Sequence, residues 1–310
     1  MPGKSLNIVF MGNPDFSVPS LEQLASSRHR VTAVVTGSDK RRGRGGERSP
    51  SPVKIAARRH SIEVIEADDM HSQSFQRKLA ALQSDLLVVV AYKLLPPAVL
   101  SIPALGSLNL HASLLPKYRG AAPIHWAVIS GEKETGCTVF LLDEGMDTGL
   151  ILNQETTTID LLETTGDLYE RLKTSGAVLL LKTVDEIAAG TQKKVAQDDQ
   201  QASKAPKITP EDARINFQND VMDVHNFIRG MSPFPGAWTL HEGRKLKVYR
   251  SEPVPGISLE PGRAGLIDGA ACAGCIGGSV ILREVQPEGR KRMSGTDFLN
   301  GVGGNTFFAM

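Results

Sequence analysis

Five short apolar runs rich in β-branched residues recur along the N-terminal part of the chain: Leu6 to Met11, Val31 to Thr36, Ile62 to Ile65, Leu86 to Ala91 and Leu108 to Leu110. Segments of helical length separate them. Strands of this kind lack a polar face, so both faces must be covered, and the alternation predicts an α/β fold with a Rossmann-like, mainly parallel sheet. The first unit is the clearest. A strand ends at Gly12, NPDFSVPS follows, a helix runs to about Ser26, and VTAVV forms the next strand. Gly12 stands alone without a G-x-G-x-x-G, so no dinucleotide cofactor is expected.

Further along, Thr164 and Asp167 in TTGD match a capping box ahead of a helical pattern carrying Leu168, Leu172, Leu179, Leu180, Val184 and Ile187, closed by Gly190. The polar stretch TQKKVAQDDQQASKAPK reads as a linker between domains. Beyond it, a helix near Val221 to Ile228 precedes WTLHEG, KLKVYRS, AGLIDG and GSVILREV, short strands that fit a small β-barrel or sandwich. A chain of 310 residues exceeds the usual size of one domain. The expected division is 1–190, a linker 191–207, and 208–310.

Apolar residues at 41% and charged residues at 22% exclude a disordered or fibrous chain, and a net charge of +1 leaves any charged partner to local clusters. The three cysteines, Cys137, Cys272 and Cys275, are too few for a disulfide framework and point to a reducing, cytoplasmic compartment. Cys272 and Cys275 form a Cys-x-x-Cys in GAACAGCIGG. That segment reads as a small-residue turn with no second Cys or His pair, so neither zinc nor redox use is expected. No apolar run reaches the roughly 18 residues of a membrane span. A strand begins almost at once, which leaves no room for a signal peptide.

The chemistry concentrates where the sheet ends. In SLNLHASLLPKYRGAAPIHW, Asn109 and His111 lie two residues apart on an extended strand and so share one side of it, at a carboxyl edge where open α/β sheets hold ligands. Asn-x-His alone equally describes hydrogen-bonded loop residues. The following SLLP is a constrained, partly apolar loop suited to a flat aromatic ligand. In TGCTVFLLDEGMDTG, Gly145 and Gly149 permit a tight loop that could bring Asp147 to His111, although Asp and Gly also make ordinary surface turns. Lys40, Arg41, Arg42, Arg44 and Arg48 crowd one glycine-rich loop. That is either a solvated face or a phosphate-binding approach to RNA.

NLHASLLPKYRGAAP together with GMDTG resembles the signature of the 10-formyltetrahydrofolate formyltransferases and hydrolases, and the resemblance spans essentially the whole chain. MGNPDF, SDKRRGRGGERSPSPVK, PFPGAW and GRKLKVYRSEPV are similar to the branch that formylates initiator methionyl-tRNA. Asn13 departs from the Thr of many members, and the stretch holding YKLLPP is one residue shorter than its usual counterpart. The resemblance implies a Rossmann-like catalytic domain of formyltransferase fold, a basic linker and an OB-like, tRNA-binding β-barrel. It implies 10-formyltetrahydrofolate as formyl donor, no metal, and Asn109, His111 and Asp147 as the catalytic set. Ser113, Leu114, Leu115 and Pro116 fall on the folate-contacting loop. The basic loop, with Arg44 at its Gly-Arg-Gly, would enter the acceptor stem of the tRNA, and Lys193, Lys194, Lys204 and Lys207 would add contacts.

Formyl transfer requires an amine to attack the formyl carbon, an oxyanion to form, and a proton to move from the amine to the folate nitrogen. Asn109 and a protonated His111 are expected to donate to the oxyanion, while Asp147 favours the charged imidazole and relays protons through a water. Two other readings remain open: a folate formyltransferase or hydrolase acting on a small amine, and a non-catalytic RNA-binding protein of the same fold. A monomer is the default, as no heptad pattern indicates otherwise.

Overall fold

A computed structural model describes residues 4–41, 48–257 and 259–308. Its chain divides into two compact units: Met1–Gly120 with Gly136–Thr157 and Glu170–Lys204, and Ala121–Thr135 with Thr158–Tyr169 and Ala205–Met310.

In the first unit the apolar runs become β1 (Asn7–Gly12), β2 (Arg30–Thr36), β3 (Glu63–Glu66), β4 (Leu86–Val90) and β5 (Ser107–His111), and all neighbouring pairs among them are parallel. Two further strands, β6 (Glu134–Leu141) and β7 (Ile151–Thr158), complete a seven-stranded sheet of order β7-β6-β5-β4-β1-β2-β3. β6 runs antiparallel to β5. Helices α1 (Val18–Ala25), α2 (Pro52–Arg59) and α3 (Gln73–Ala81) follow β1, β2 and β3. Proline near the start of α1 and α2 costs nothing, because the first turn has no carbonyl for its N–H. Ser51 caps α2 by accepting from the Lys54 N–H at 3.0 Å. Val9, Met11, Ala33, Val35, Leu87 and Val89 form one buried layer, against which Phe75, Leu79 and Val99 pack.

The second unit contains α4 (Pro123–Ile129), the first turn of α5 (Thr165–Ala189), α6 (Val221–Gly230) and an antiparallel sheet. Its strands β8 (Ala237–His241), β9 (Arg244–Pro255), β10 (Arg263–Ile267), β11 (Ala270–Cys275), β12 (Gly278–Pro287) and β13 (Asn305–Phe307) are ordered β8-β9-β12-β11-β10-β13, an OB-like half-barrel. Phe217, Ile228, Leu246, Val248, Val280 and Leu282 fill it.

One expectation fails here. GAACAGCIGG contains no turn at its cysteines; Ala270–Cys275 is strand β11, buried between β10 and β12. Alanine and glycine are poor strand formers by propensity, yet the position demands small residues. A Cβ on Gly274 would collide with the backbone carbonyls of Leu259 and Glu260. Cys272 and Cys275 are buried free thiols, and burial pushes Cys275 up to about 12.

The capping box at the head of α5 forms as the sequence predicts. The Asp167 N–H donates to Thr164 Oγ1 at 3.2 Å, and the Thr164 N–H and hydroxyl donate to Asp167 Oδ2 at 3.1 and 2.7 Å. Burial opposes ionisation of Asp167, but these bonds and the Arg250 guanidinium hold its carboxyl below the usual carboxylate range. Thr164→Ala should therefore cost about 1 kcal/mol by denaturant unfolding near neutral pH. A depressed carboxylate stabilises the fold above its unfolded value and loses that contribution as pH falls through the folded one. The cost of the substitution should accordingly shrink in acid. A cost unchanged from neutral pH to well below the usual carboxylate range would rule this account out.

Candidate active site

Strand β5 lies between β4 and β6, so Asn109 sits beside Val89 on one side and Phe140 on the other, and His111 lies opposite Thr138. The period of two places both polar side chains on one face. His111 is 7% exposed, and its ring meets Phe140 edge-on with centroids 6.5 Å apart. Among the described residues no hydrogen-bond partner of the Asn109 side-chain amide is present, and the residue is half-buried. An amide held in that state is available to a ligand.

The loop after β5 is held from within. Thr138 Oγ1 donates to the Ser113 carbonyl at 2.7 Å and accepts from the Leu115 N–H at 3.1 Å and from Gln154 Nε2 at 2.9 Å. Gln154 Nε2 also donates to the Leu115 carbonyl at 2.8 Å, and the Ser113 hydroxyl to the Lys117 carbonyl at 2.7 Å. Of the four residues expected to contact folate, Ser113 and Leu115 are thus buried and tied to the protein, whereas Leu114 and Pro116 are half-buried and keep surface for a ligand. The Leu115–Pro116 peptide is cis. Tyr92, in YKLLPP, is half-buried; burial, with Asp68 nearby, pushes its phenol up to about 12.

The loop then turns back through Tyr118, in the left-handed region at φ 61°, and its carbonyl lies 2.9 Å from His111 Nε2. A carbonyl only accepts, so Nε2 carries a proton, and Nδ1 is the nitrogen facing Asp147. His111 Nδ1 and Asp147 Oδ2 are 3.7 Å apart, an ion-pair distance rather than a hydrogen bond.

Asp147 is 9% exposed and adopts φ 56°, a conformation that costs a non-glycine residue and persists only where surroundings enforce it. Asp143 Oδ1 closes its loop by accepting from the Gly145 N–H at 3.0 Å and the Thr148 hydroxyl at 2.7 Å. Gly149 lets the loop lie directly on β6, since a Cβ there would meet the Leu141 carbonyl. The Gly120 N–H donates to Asp147 Oδ2 at 2.8 Å, joining the two loops.

The basic residues are spread over separate segments. Lys40–Arg41 pairs its backbone antiparallel with Arg48–Ser49, and Arg48 is exposed. Arg42 and Arg44 lie outside the described residues. Lys193, Lys194 and Lys204 are exposed on the segment after α5, and Lys207 is exposed in the second unit. Among the described residues no group of three or more His, Cys, Asp or Glu could hold a metal ion, and no helix is long and apolar enough to cross a membrane.

Sequence reasoning missed Thr138, Gln154, Arg119, Gln197 and Ser203, which hold these loops. Arg119 stands in the KYRG motif, but the other four carry no pattern that distinguishes them from neighbouring polar residues.

The pattern described as formyl transferase matches residues 6–184, and that of the formyl transferase C-terminal domain matches residues 207–303. The methionyl-tRNA formyltransferase of Chlorobium limicola is 45% identical over 305 residues, covering 96% of each chain. That of Pelotomaculum thermopropionicum is 43% identical over 303 residues, again 96% of each. An N-formyltransferase from Helicobacter canadensis, solved with folinic acid and dTDP-3-aminofucose, shares the fold at 20% identity and a TM-score of 0.69, over 92% of this chain and 100% of its own. With both domain patterns present and such identity along nearly its whole length, the chain belongs to the formyl transferase family, among relatives that are methionyl-tRNA formyltransferases.

Proposed function

We propose that this chain transfers the formyl group of 10-formyltetrahydrofolate to the amino group of initiator methionyl-tRNA, in the cytoplasm. The observation that carries the acceptor is identity of 45% and 43% to methionyl-tRNA formyltransferases across both domains. The chemistry rests on Asn109, His111 and Asp147. When bound, the folate supplies an activated formyl group. The half-buried Leu114 and Pro116 offer apolar surface to a flat ring, and the Asn109 amide, which has no hydrogen-bond partner among the described residues, offers a donor to a formyl oxygen.

As the amine attacks, negative charge grows on the formyl oxygen. Asn109 Nδ2 donates to it, and a protonated His111 donates through Nδ1, because Nε2 is already engaged by the Tyr118 carbonyl. Asp147 faces that same Nδ1 and balances the imidazolium. Its carboxylate also accepts the amine's proton, directly or through one water, and passes it to the folate nitrogen as the bond between that nitrogen and the formyl carbon breaks and the formyl group stays on the amine.

Incubating the protein with 10-formyltetrahydrofolate and methionyl initiator tRNA should yield N-formylmethionine. Exposed Arg48, Lys193, Lys194, Lys204 and Lys207 supply phosphate contacts in this reading. Raising salt from about 50 to about 200 mM should then weaken tRNA affinity by about tenfold or more. The KM for folate should barely change. Formate release without transfer, or transfer to a small amine as efficient as to the tRNA, would favour the small-amine or hydrolase reading.

A further inference from the structure

We propose that Gln197, which touches no reacting atom, is a positioning residue that sets the Asp147 to His111 geometry. The inference rests on the reading of Asp147 and His111 as reacting groups. Gln197 is half-buried on the segment after α5, and all of its side-chain bonds lead to the two loops that carry the chemistry. Nε2 donates to the Asp147 carbonyl at 2.9 Å and to the Gly149 carbonyl at 2.8 Å. Oε1 accepts from Arg119 Nε at 3.1 Å and from an Arg119 terminal nitrogen at 2.8 Å. Both donors of the amide are consumed on the Asp147 loop, and its oxygen takes a two-pronged grip from the other loop.

The residues flanking Arg119 are the ones that hold the reacting groups. Tyr118 accepts from His111 Nε2, and Gly120 donates to Asp147 Oδ2. The circuit is therefore closed: His111, Tyr118, Arg119, Gln197, Asp147 and back to His111 across 3.7 Å. Ser203, on the same segment, reinforces it by accepting from the Tyr118 N–H through its hydroxyl at 2.9 Å and from the Arg119 N–H through its carbonyl at 2.8 Å. Asp147 at φ 56° needs such outside support, and its own loop bonds through Asp143 do not reach it. Without the Gln197 amide, two carbonyls lose their donor and the loop can relax by a fraction of an ångström or more. Misplacement by about 1 Å is enough to cost on the order of a hundredfold in rate.

The test compares Gln197→Leu, Gln197→Glu, Asp147→Asn and the Gln197→Leu/Asp147→Asn pair in steady-state formylation, with thermal melts of each. Gln197→Glu keeps an acceptor for Arg119 but offers no donor to the two carbonyls, so it reports even if the leucine variant folds poorly. Each Gln197 variant should lose about thirtyfold to a hundredfold in kcat per folded molecule. KM for folate and tRNA should stay within about twofold, and the pair should be no slower than Asp147→Asn alone. Gln200→Ala, on the exposed turn Asp199–Gln201 just beyond Gln197, should keep full activity. Unchanged kcat in both Gln197 variants beside an impaired Asp147→Asn would overturn the inference. So would a loss confined to KM, a loss explained by the unfolded fraction, or fully multiplicative losses in the pair. A fully active Asp147→Asn would instead sink the underlying reading of the reacting groups.

Discussion

Asn109→Ala and His111→Ala should each lower turnover by about a hundredfold to a thousandfold, the cost of removing one donor from an oxyanion site, and Asp147→Ala by about a hundredfold to ten-thousandfold, the cost of removing a group that moves the proton. Asn109→Ala is the cleanest of the three. Its amide has no hydrogen-bond partner among the described residues, so the substitution breaks no bond among them, and the melting temperature should move little. His111→Ala also removes the bond to the Tyr118 carbonyl, and Asp147→Ala frees the Gly120 N–H, so both should show some loss of stability beside the loss of rate. Single-turnover formylation with saturating folate separates the two effects, because it reads the chemical step in molecules that are folded and loaded. Near-normal turnover in any two of the three would remove the mechanism.

Gly149→Ala should be nearly as damaging, through the backbone alone. Its added Cβ would overlap the Leu141 carbonyl oxygen and lie 2.9 Å from the carbonyl carbon, and neither can swing away, since the Leu141 N–H is bonded to the Leu150 carbonyl at 2.9 Å. The loop must lift off β6 and carry Asp147, two positions earlier, with it. A shift of about 1 Å there is expected to lower kcat on the order of a hundredfold. The melting temperature should fall too. Gly145→Ala provides the contrast: its Cβ would meet the Thr148 side chain, which can rotate at the cost of one bond to Asp143. Its loss of rate should be clearly smaller, measured per folded molecule. Equal losses at both glycines would show that loop integrity as a whole, and not the approach to Leu141, places Asp147.

Much of the architecture was legible because its signals are local. Apolar runs such as LLVVV at Leu86–Val90 have no polar face and can only be strands covered on both sides. TTGD announced the head of α5 because a capping box is closed within four residues. The spacing of Asn109 and His111 gave their shared face for the same reason. Propensity misled at GAACAGCIGG, where tight packing against Leu259 and Glu260 overrides the preference of glycine for turns.

The sequence by itself determined the mainly parallel sheet and the short-stranded domain that follows it through short-range pattern, and the family resemblance of its motifs named three candidate reacting residues. Only the tertiary structure decided that Asp147 and His111 stand 3.7 Å apart, that Nδ1 rather than Nε2 faces the carboxylate, and that Gln197 and Ser203 tie the site together. The Gln197 and Ser203 side chains bond backbone carbonyls and an N–H group of residues far along the chain. Every residue except proline carries both groups, so such partners leave no mark in the order of amino acids and appear only when the chain is folded.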